Sequence, residues 1–391
     1  MNSKIKGINT ICTHVGEVED KQFKGAVSPL YMSSSYAFQD VDVKRYPRYF
    51  NTPNQEGLAK KIAALEHCEA GLIFGSGMAA ISTAVMAFLK VGDHIILQGD
   101  IYGGTYNLVV EQFNNFGIEY SFSKGTNKAA FEELVKPNTK VIYIETPSNP
   151  LLKITDLKMI SDLAKKYNLI SIIDNTFASP INQIPAKFGI DIVIHSATKY
   201  MGGHSDMCAG AVACSEEHRE KIFHLAKNLG GSLSDYTVWL LERSMKTMGI
   251  RVRAQNENAQ RMAEYLSKHD DIKAVYYPGL KSHEGHNIAK AQMKGFGGMM
   301  SFELKAELGA NLFQKSLKLI KPSMSLAGVE STVLSPAETS HALLGAVERK
   351  NRGISDGLIR FSVGIEETED LISDIEQAIK QSKKKHKITS S

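Results

Sequence analysis

Between about residues 57 and 200, short apolar runs rich in β-branched residues alternate with segments of helical spacing. This alternation limits the fold more than any other feature of the chain. The runs GLIF (71–74), HIILQ (94–98), KVIYIET (140–146), LISIIDNTF (169–177) and DIVIHSATK (191–199) read as strands; 58–69, 78–89 and 105–116 read as helices. Strands that are apolar almost throughout need cover on both faces, which a parallel sheet between two helical layers provides. Residues 51–245 are therefore expected to form a doubly wound α/β domain. Residues 234–270 read as one long helix leading into a second unit, where strands near 275–277, 299–304 and 358–366 alternate with helices at 310–320 and 367–382. That mixture predicts a smaller α+β domain over 246–391. Residues 1–50 have little periodicity and are rich in Gly, Ser, Tyr and Pro, which predicts an extended arm.

Charge and cysteine usage exclude several classes. A net charge of +4 spread along the chain does not make the clustered basic face of a nucleic-acid binder. The one basic run, 383–387, reads as a frayed, solvated tail. No apolar stretch approaches the roughly 18 residues of a membrane span, and the N-terminus lacks a secretory core, so a cytoplasmic location is expected. Cys12, Cys68, Cys208 and Cys214 form no C-x-x-C pair and no disulfide framework. His204, Asp206 and Cys208 alternate in GHSDMC, but that spacing is unlike a zinc site, and no metal is expected.

In an open α/β sheet, ligands bind beyond the carboxyl ends of the strands. Here the first strand ends in Gly75-Ser76-Gly77-Met78 and opens a helix, a turn whose N–H groups can cradle a phosphate. Another delivers Asp174, which is either a helix cap or a carboxylate facing a cationic ring nitrogen. A third delivers Ser196-Ala197-Thr198-Lys199, a lysine among small and hydroxyl residues, where a desolvated amine can form a Schiff base. Tyr102, after the strand at 94–98, supplies an aromatic face. A lysine, an acid, a phosphate cradle and a ring-facing aromatic are together the needs of pyridoxal 5′-phosphate.

The segments HSATKYMGGHSD, ETPSNP, DNTF, FGSGMAA, DIYGGTY and SLAGVEST together resemble the Cys/Met-metabolism family of pyridoxal-phosphate enzymes, from about residue 10 to about 380. The resemblance implies an aspartate-aminotransferase-like fold of type I. It implies that Lys199 forms the Schiff base and shuttles protons, that Asp174 holds the pyridine nitrogen, and that Tyr102 stacks on the ring. Gly77, Met78, Ser196 and Thr198 would bind the phosphate. Tyr46 and Arg48, in Tyr46-Pro47-Arg48, would reach the phosphate of a neighbouring subunit in a homotetramer built from tight dimers. Asn149 and Arg360 would hold the substrate's α-carboxylate, the planar guanidinium meeting it in two bonds, and Ser325 would position the lysine.

The implied activity is cleavage of a carbon–sulfur bond in cystathionine or a related amino acid by α-proton abstraction and β- or γ-elimination. The alternative within the family is γ-replacement on an activated homoserine. Four positions depart from patterns in the family. Met324 and Arg45 stand where several members carry acids facing the distal amine of cystathionine. Tyr102-Gly103-Gly104 differs from the Y-G-C of methionine γ-lyases, and Ser325-Leu326-Ala327 from the usual S-L-G. Two other classes remain for comparison. A dinucleotide oxidoreductase lacks its G-x-G-x-x-G spacing here, and a non-catalytic binding protein would be expected to have lost Lys199 or Asp174, both of which are present.

Overall fold

The computed structural model describes residues 7–339, 349 and 353–389. Seven strands form the first sheet: β1 (Ala70–Phe74), β2 (His94–Gln98), β3 (Glu119–Ser123), β4 (Thr139–Glu145), β5 (Ile170–Asp174), β6 (Ile192–His195) and β7 (Gly210–Cys214). Their order is β1-β7-β6-β5-β4-β2-β3. Pairing is parallel from β6 through β3, while β7 runs antiparallel to both neighbours. Six strands therefore point the same way, and their carboxyl ends share one edge.

Alternate residues of these strands enter two separate cores, as the two-residue period of a strand requires. Ile142, Ile144, Ile173 and Val193 pack on one face. Val141, Tyr143, Ile172, Ile192 and Ile194 pack on the other. The second sheet has order β10-β11-β12-β9-β8, built from β8 (Ile272–Tyr276), β9 (Met299–Leu304), β10 (Lys321–Pro322), β11 (Thr332–Leu334) and β12 (Leu358–Ser362). Among the described residues, no helix is long and apolar enough to cross a membrane.

Strands β3, β7, β10 and β11 lie outside the expected runs, and three helical segments also differ from the expectations. The arm begins with a helix, Ile8–His14, that buries Ile11 and Cys12. The buried Lys61 amine donates to the Cys12 carbonyl at 2.7 Å. The arm is also pinned at Gly16, where a Cβ would stand 2.0 Å from the Gly57 carbonyl oxygen. Seven residues with two buried positions are too few to show a period. Beyond this helix the arm is irregular and leaves Phe23, Met32 and Phe38 exposed.

The expected single helix over 234–270 is two, Asp235–Met245 and Met248–Leu266. Arg251 bridges the break: its guanidinium donates to the carbonyls of Ser244 and Tyr200, both at 3.0 Å. It occupies the space a side chain at Gly203 would need, 1.8 Å from an ideal Cβ there. The loop that follows Lys199 is thereby fastened to the long helix. At the C-terminus the helix Thr368–Thr389 runs through the basic segment expected to fray, and Lys383 pairs with Asp271 at 2.6 Å. With no Gly or Pro over these residues, nothing stops the helix after its last apolar turn.

Phe302 is wholly buried in the second core, edge-on to Phe313 at 6.0 Å and to Phe361 at 6.4 Å. Phe302→Ala should cost about 3–5 kcal/mol of stability, read as a lower urea midpoint by far-ultraviolet circular dichroism. An unchanged midpoint would show that this aromatic trio is not what holds the second sheet.

Candidate active site

A cavity of about 280 Å³ lies at the shared carboxyl edge of the first sheet and is closed by segments of the second. Its lining includes Gly77, Met78, Tyr102, Asn149, Asp174, Ser196, Thr198, Lys199, Ser325 and Arg360. Ten of the twelve residues singled out from the sequence thus meet in one place.

The turn after β1 presents the start of the helix Gly77–Met86. The Ser76 hydroxyl accepts the Ala79 N–H at 3.0 Å, and the Ser76 carbonyl accepts that of Ala80 at 3.2 Å. The N–H groups of Gly77 and Met78 have no partner among the described residues, as expected of a helix's first turn. Gly77 is required by close approach: a Cβ there would stand 2.8 Å from Ser196 Cβ. The Ser196 N–H donates to Thr176 Oγ1 at 2.8 Å, which fixes the second wall of this cradle. Thr198 lines the cavity, but its hydroxyl proton is engaged by the Ala209 carbonyl at 3.1 Å.

Four ionisable groups converge deeper in. The Lys199 amine donates to Ser325 Oγ at 2.5 Å. Burial, reinforced by the positive charge of Arg360, pushes this amine down to about 8. Arg360 is buried, donating through Nη2 to the Ser325 carbonyl at 2.9 Å and through Nη1 to Asn149 Oδ1 at 3.3 Å. Burial also lowers its own pKa, to about 10. Asp174 accepts the Thr176 N–H at 2.9 Å, and burial raises its carboxyl above the ordinary aspartate range. Glu145 is the fourth group, and the sequence reading passed over it. Both of its oxygens accept backbone N–H groups, from Tyr102 at 2.7 Å and Asn149 at 3.1 Å. Its position at the end of a buried strand, just before Thr146-Pro147-Ser148-Asn149, was the available signal. Phe177, Ile81 and Leu334 add apolar wall that the reading also missed.

The four departures in the sequence take physical form. A Cβ on Gly104 would stand 2.5 Å from Tyr102 Cε1 and 3.0 Å from Met78 Sδ, so a side chain there would displace the tyrosine ring. Ser325 and Ala327 both adopt left-handed backbone, at φ 72° and 64°. Such conformations cost a non-glycine residue roughly 1–3 kcal/mol, and the Ala327 N–H is held by Ser362 Oγ at 2.7 Å. Met324 lines the mouth and is exposed, whereas Arg45 is paired with Glu56 at 3.0 Å and lies outside the lining.

Tyr46 and Arg48 are not brought to this cavity. They sit on the arm, Arg48 donating to the Lys227 carbonyl at 2.5 Å and lying over the Tyr46 and Tyr49 rings at 5.6 and 5.1 Å. Among the described residues, no group of His, Cys, Asp and Glu is arranged to hold a metal ion; His204 Nδ1 instead lies 2.7 Å from the Gly202 carbonyl.

These residues fit pyridoxal phosphate. The unpartnered N–H pair at Gly77 and Met78 suits its phosphate, the primary amine its aldehyde, and the buried acid a cationic nitrogen. A protonated amine cannot attack an aldehyde, so uptake of pyridoxal phosphate by the apoprotein should accelerate with pH through a midpoint near 8, the value of Lys199. Arg360→Leu removes the neighbouring positive charge and should move that midpoint upward, as measured by growth of visible absorption. A rate that is flat across the midpoint would contradict this account.

The family described as Cys/Met metabolism PLP-dependent enzyme matches residues 9–380. Cystathionine gamma-lyase of Bacillus subtilis (strain 168) is 45% identical over 374 residues, covering 95% of this chain and 98% of that protein. Cystathionine beta-lyase MetC of the same organism is 43% identical over 362 residues, covering 91% and 92%. The structure of a cystathionine gamma synthase from Xanthomonas oryzae pv. oryzae superposes with a TM-score of 0.93 at 36% identity, covering 97% of this chain and 99% of that one. The chain belongs to the Cys/Met metabolism PLP-dependent enzymes, with the type I fold of that family and pyridoxal phosphate as its cofactor.

Proposed function

We propose that the enzyme is a trans-sulfuration carbon–sulfur lyase acting on cystathionine or a related sulfur amino acid. The observation that carries this reading is the single cavity in which the Lys199 amine, the Arg360–Asn149 pair and Asp174 converge. The names of the relatives at 43–45% identity, a γ-lyase and a β-lyase, support a lyase over a synthase.

Bound pyridoxal phosphate supplies an electron sink for the substrate's α-carbon. The residues do the rest. Gly77 and Met78 N–H groups and the Ser196 hydroxyl would hold the phosphate. Asp174 would place negative charge against the ring nitrogen, a partner that would offset the cost of its own burial. Arg360, braced by Asn149 and by the Ser325 carbonyl, receives the α-carboxylate. Lys199 would anchor the cofactor and is the amine placed to take the substrate's α-proton at Nζ; Ser325 Oγ orients that amine. Its lowered pKa leaves a large fraction neutral near pH 8, as a base requires. Tyr102 gives an aromatic face, which Gly104 leaves room for.

Product analysis with L-cystathionine tests this reading. Cleavage at the β-carbon releases pyruvate, ammonia and homocysteine; cleavage at the γ-carbon releases 2-oxobutanoate, ammonia and cysteine. Either keto acid supports a lyase and states which bond breaks. Neither acid, with turnover of an acylhomoserine and a thiol, would replace the reading with γ-replacement.

The proposal extends to assembly as a homotetramer of paired dimers. Arg48 lies outside its own chain's cavity, and the arm that carries it exposes Phe23, Met32 and Phe38. A two-fold dimer in which each arm enters the neighbour's site would cover both features. Arg48→Ala and Lys199→Ala enzymes should each be nearly inactive. Reassembled mixtures should regain about a quarter of native activity, since about half the dimers are hybrids with one intact site of two. Hybrids verified by mass that show no gain would place Arg48 in its own chain's site.

A further inference from the structure

Glu145 and Asp174 end adjacent parallel strands and are register partners. Both are buried, and both line the cavity. Asp174 has a role in the reading above; Glu145 has none. An acid buried beside another acid is costly to ionise, and both burial and Asp174 push its carboxyl well up. Such a residue requires an account of what it does.

Its contacts supply one. Oε2 accepts the N–H of Tyr102, on the turn after β2, and Oε1 accepts the N–H of Asn149, on the turn after β4. The backbone around it is fixed as well, because Gln98 at the end of β2 donates to the Glu145 carbonyl at 2.8 Å. Beyond Asn149 the contacts continue: Arg360 donates to Asn149 Oδ1 and to the Ser325 carbonyl, and Lys199 donates to Ser325 Oγ. One side chain therefore joins the aromatic face, the carboxylate grip and the proton-moving amine. Only a glutamate has this reach and these two acceptors. Glutamine would set an NH₂ group against one of the N–H donors. Aspartate is a methylene shorter and cannot span both turns.

We infer that Glu145 is a positioning residue that holds the Tyr102 face and the Asn149–Arg360 carboxylate grip in one mutual geometry. This rests on the roles proposed above for Tyr102 and Asn149. Occupation of the carboxylate grip is then transmitted to the tyrosine through the two backbone hydrogen bonds that Glu145 accepts.

The test uses the holoenzyme with Glu145→Gln, Glu145→Asp, Asn149→Ala and the Glu145→Gln/Asn149→Ala double variant. Readouts are cofactor content, visible circular dichroism of the bound cofactor, the dissociation constant of L-alanine from spectral titration, and kcat/KM. Glu145→Gln should keep its cofactor but show altered visible dichroism and weaker L-alanine binding. Its kcat/KM should fall by up to about 100-fold, the scale of loss for ångström-level misplacement. Glu145→Asp, which keeps one bond and the carboxyl group, should fall between it and the parent. It carries the test if the glutamine variant does not fold. The double variant should lose little beyond the worse single variant, because both lesions break one chain of contacts. Native dichroism and native L-alanine binding in the folded Glu145 variants, or fully additive losses in the double variant, would overturn the inference. Native behaviour of Asn149→Ala alone would instead overturn the role assigned to Asn149.

Discussion

A parallel sheet covered on both faces leaves polar side chains only its strand ends, and the active site depends on that restriction. β4, β5 and β6 contribute Val141, Ile142, Ile144, Ile172, Ile173, Ile192, Val193 and Ile194 to the two cores with no exposed surface. Glu145, Asp174 and the Ser196–Lys199 turn follow immediately at the carboxyl ends. The strands cannot slip by one residue without sending apolar side chains to the wrong core. The positions of the acids and the lysine relative to one another are fixed by the same burial that stabilises the domain.

Within the cavity, burial and charge act against each other in a useful balance. Desolvation is the first cause of every resolved shift there: it raises both acids and lowers Lys199 and Arg360. For Lys199 the Arg360 charge adds to desolvation, while the pull of Asp174 is weaker than either. The result is an amine basic enough to accept a proton and neutral often enough to do so near physiological pH. The left-handed backbone at Ser325 and Ala327 sits in the same region, where Arg360 and Ser362 hold it in place.

The two halves of the site differ in how legible they were. The strand-end residues followed from periodicity and from the rule that ligands bind at carboxyl ends, so Lys199, Asp174 and the Gly77–Met78 turn could be named from the chain alone. Asn149, Ser325, Arg360, Tyr46 and Arg48 came only through resemblance, because a loop or second-domain residue carries no periodic signal. Glu145 was overlooked because a glutamate at a strand end looks like any solvated acid until its two backbone donors are seen. The helix at 8–14 and the break at Lys246-Thr247 were missed for a related reason. One is too short to show a period, and the other is a local interruption of one, stabilised by Arg251 from a turn further on.

What the sequence by itself determined was five strands of the first sheet alternating with helices, its cover on both faces, the cofactor class and the family, since each depends on local patterning or on contiguous motifs. What only the tertiary structure decided was convergence. Arg360 on the second sheet meets Asn149, 211 positions away along the chain, and Lys199 meets Ser325 across 126. Glu145 gathers Tyr102 and Asn149 from two different turns. Hydrogen bonds act over about 3 Å of space whatever the separation in sequence, so the partnerships of Arg360 and Ser325 exist only once the two sheets are packed together.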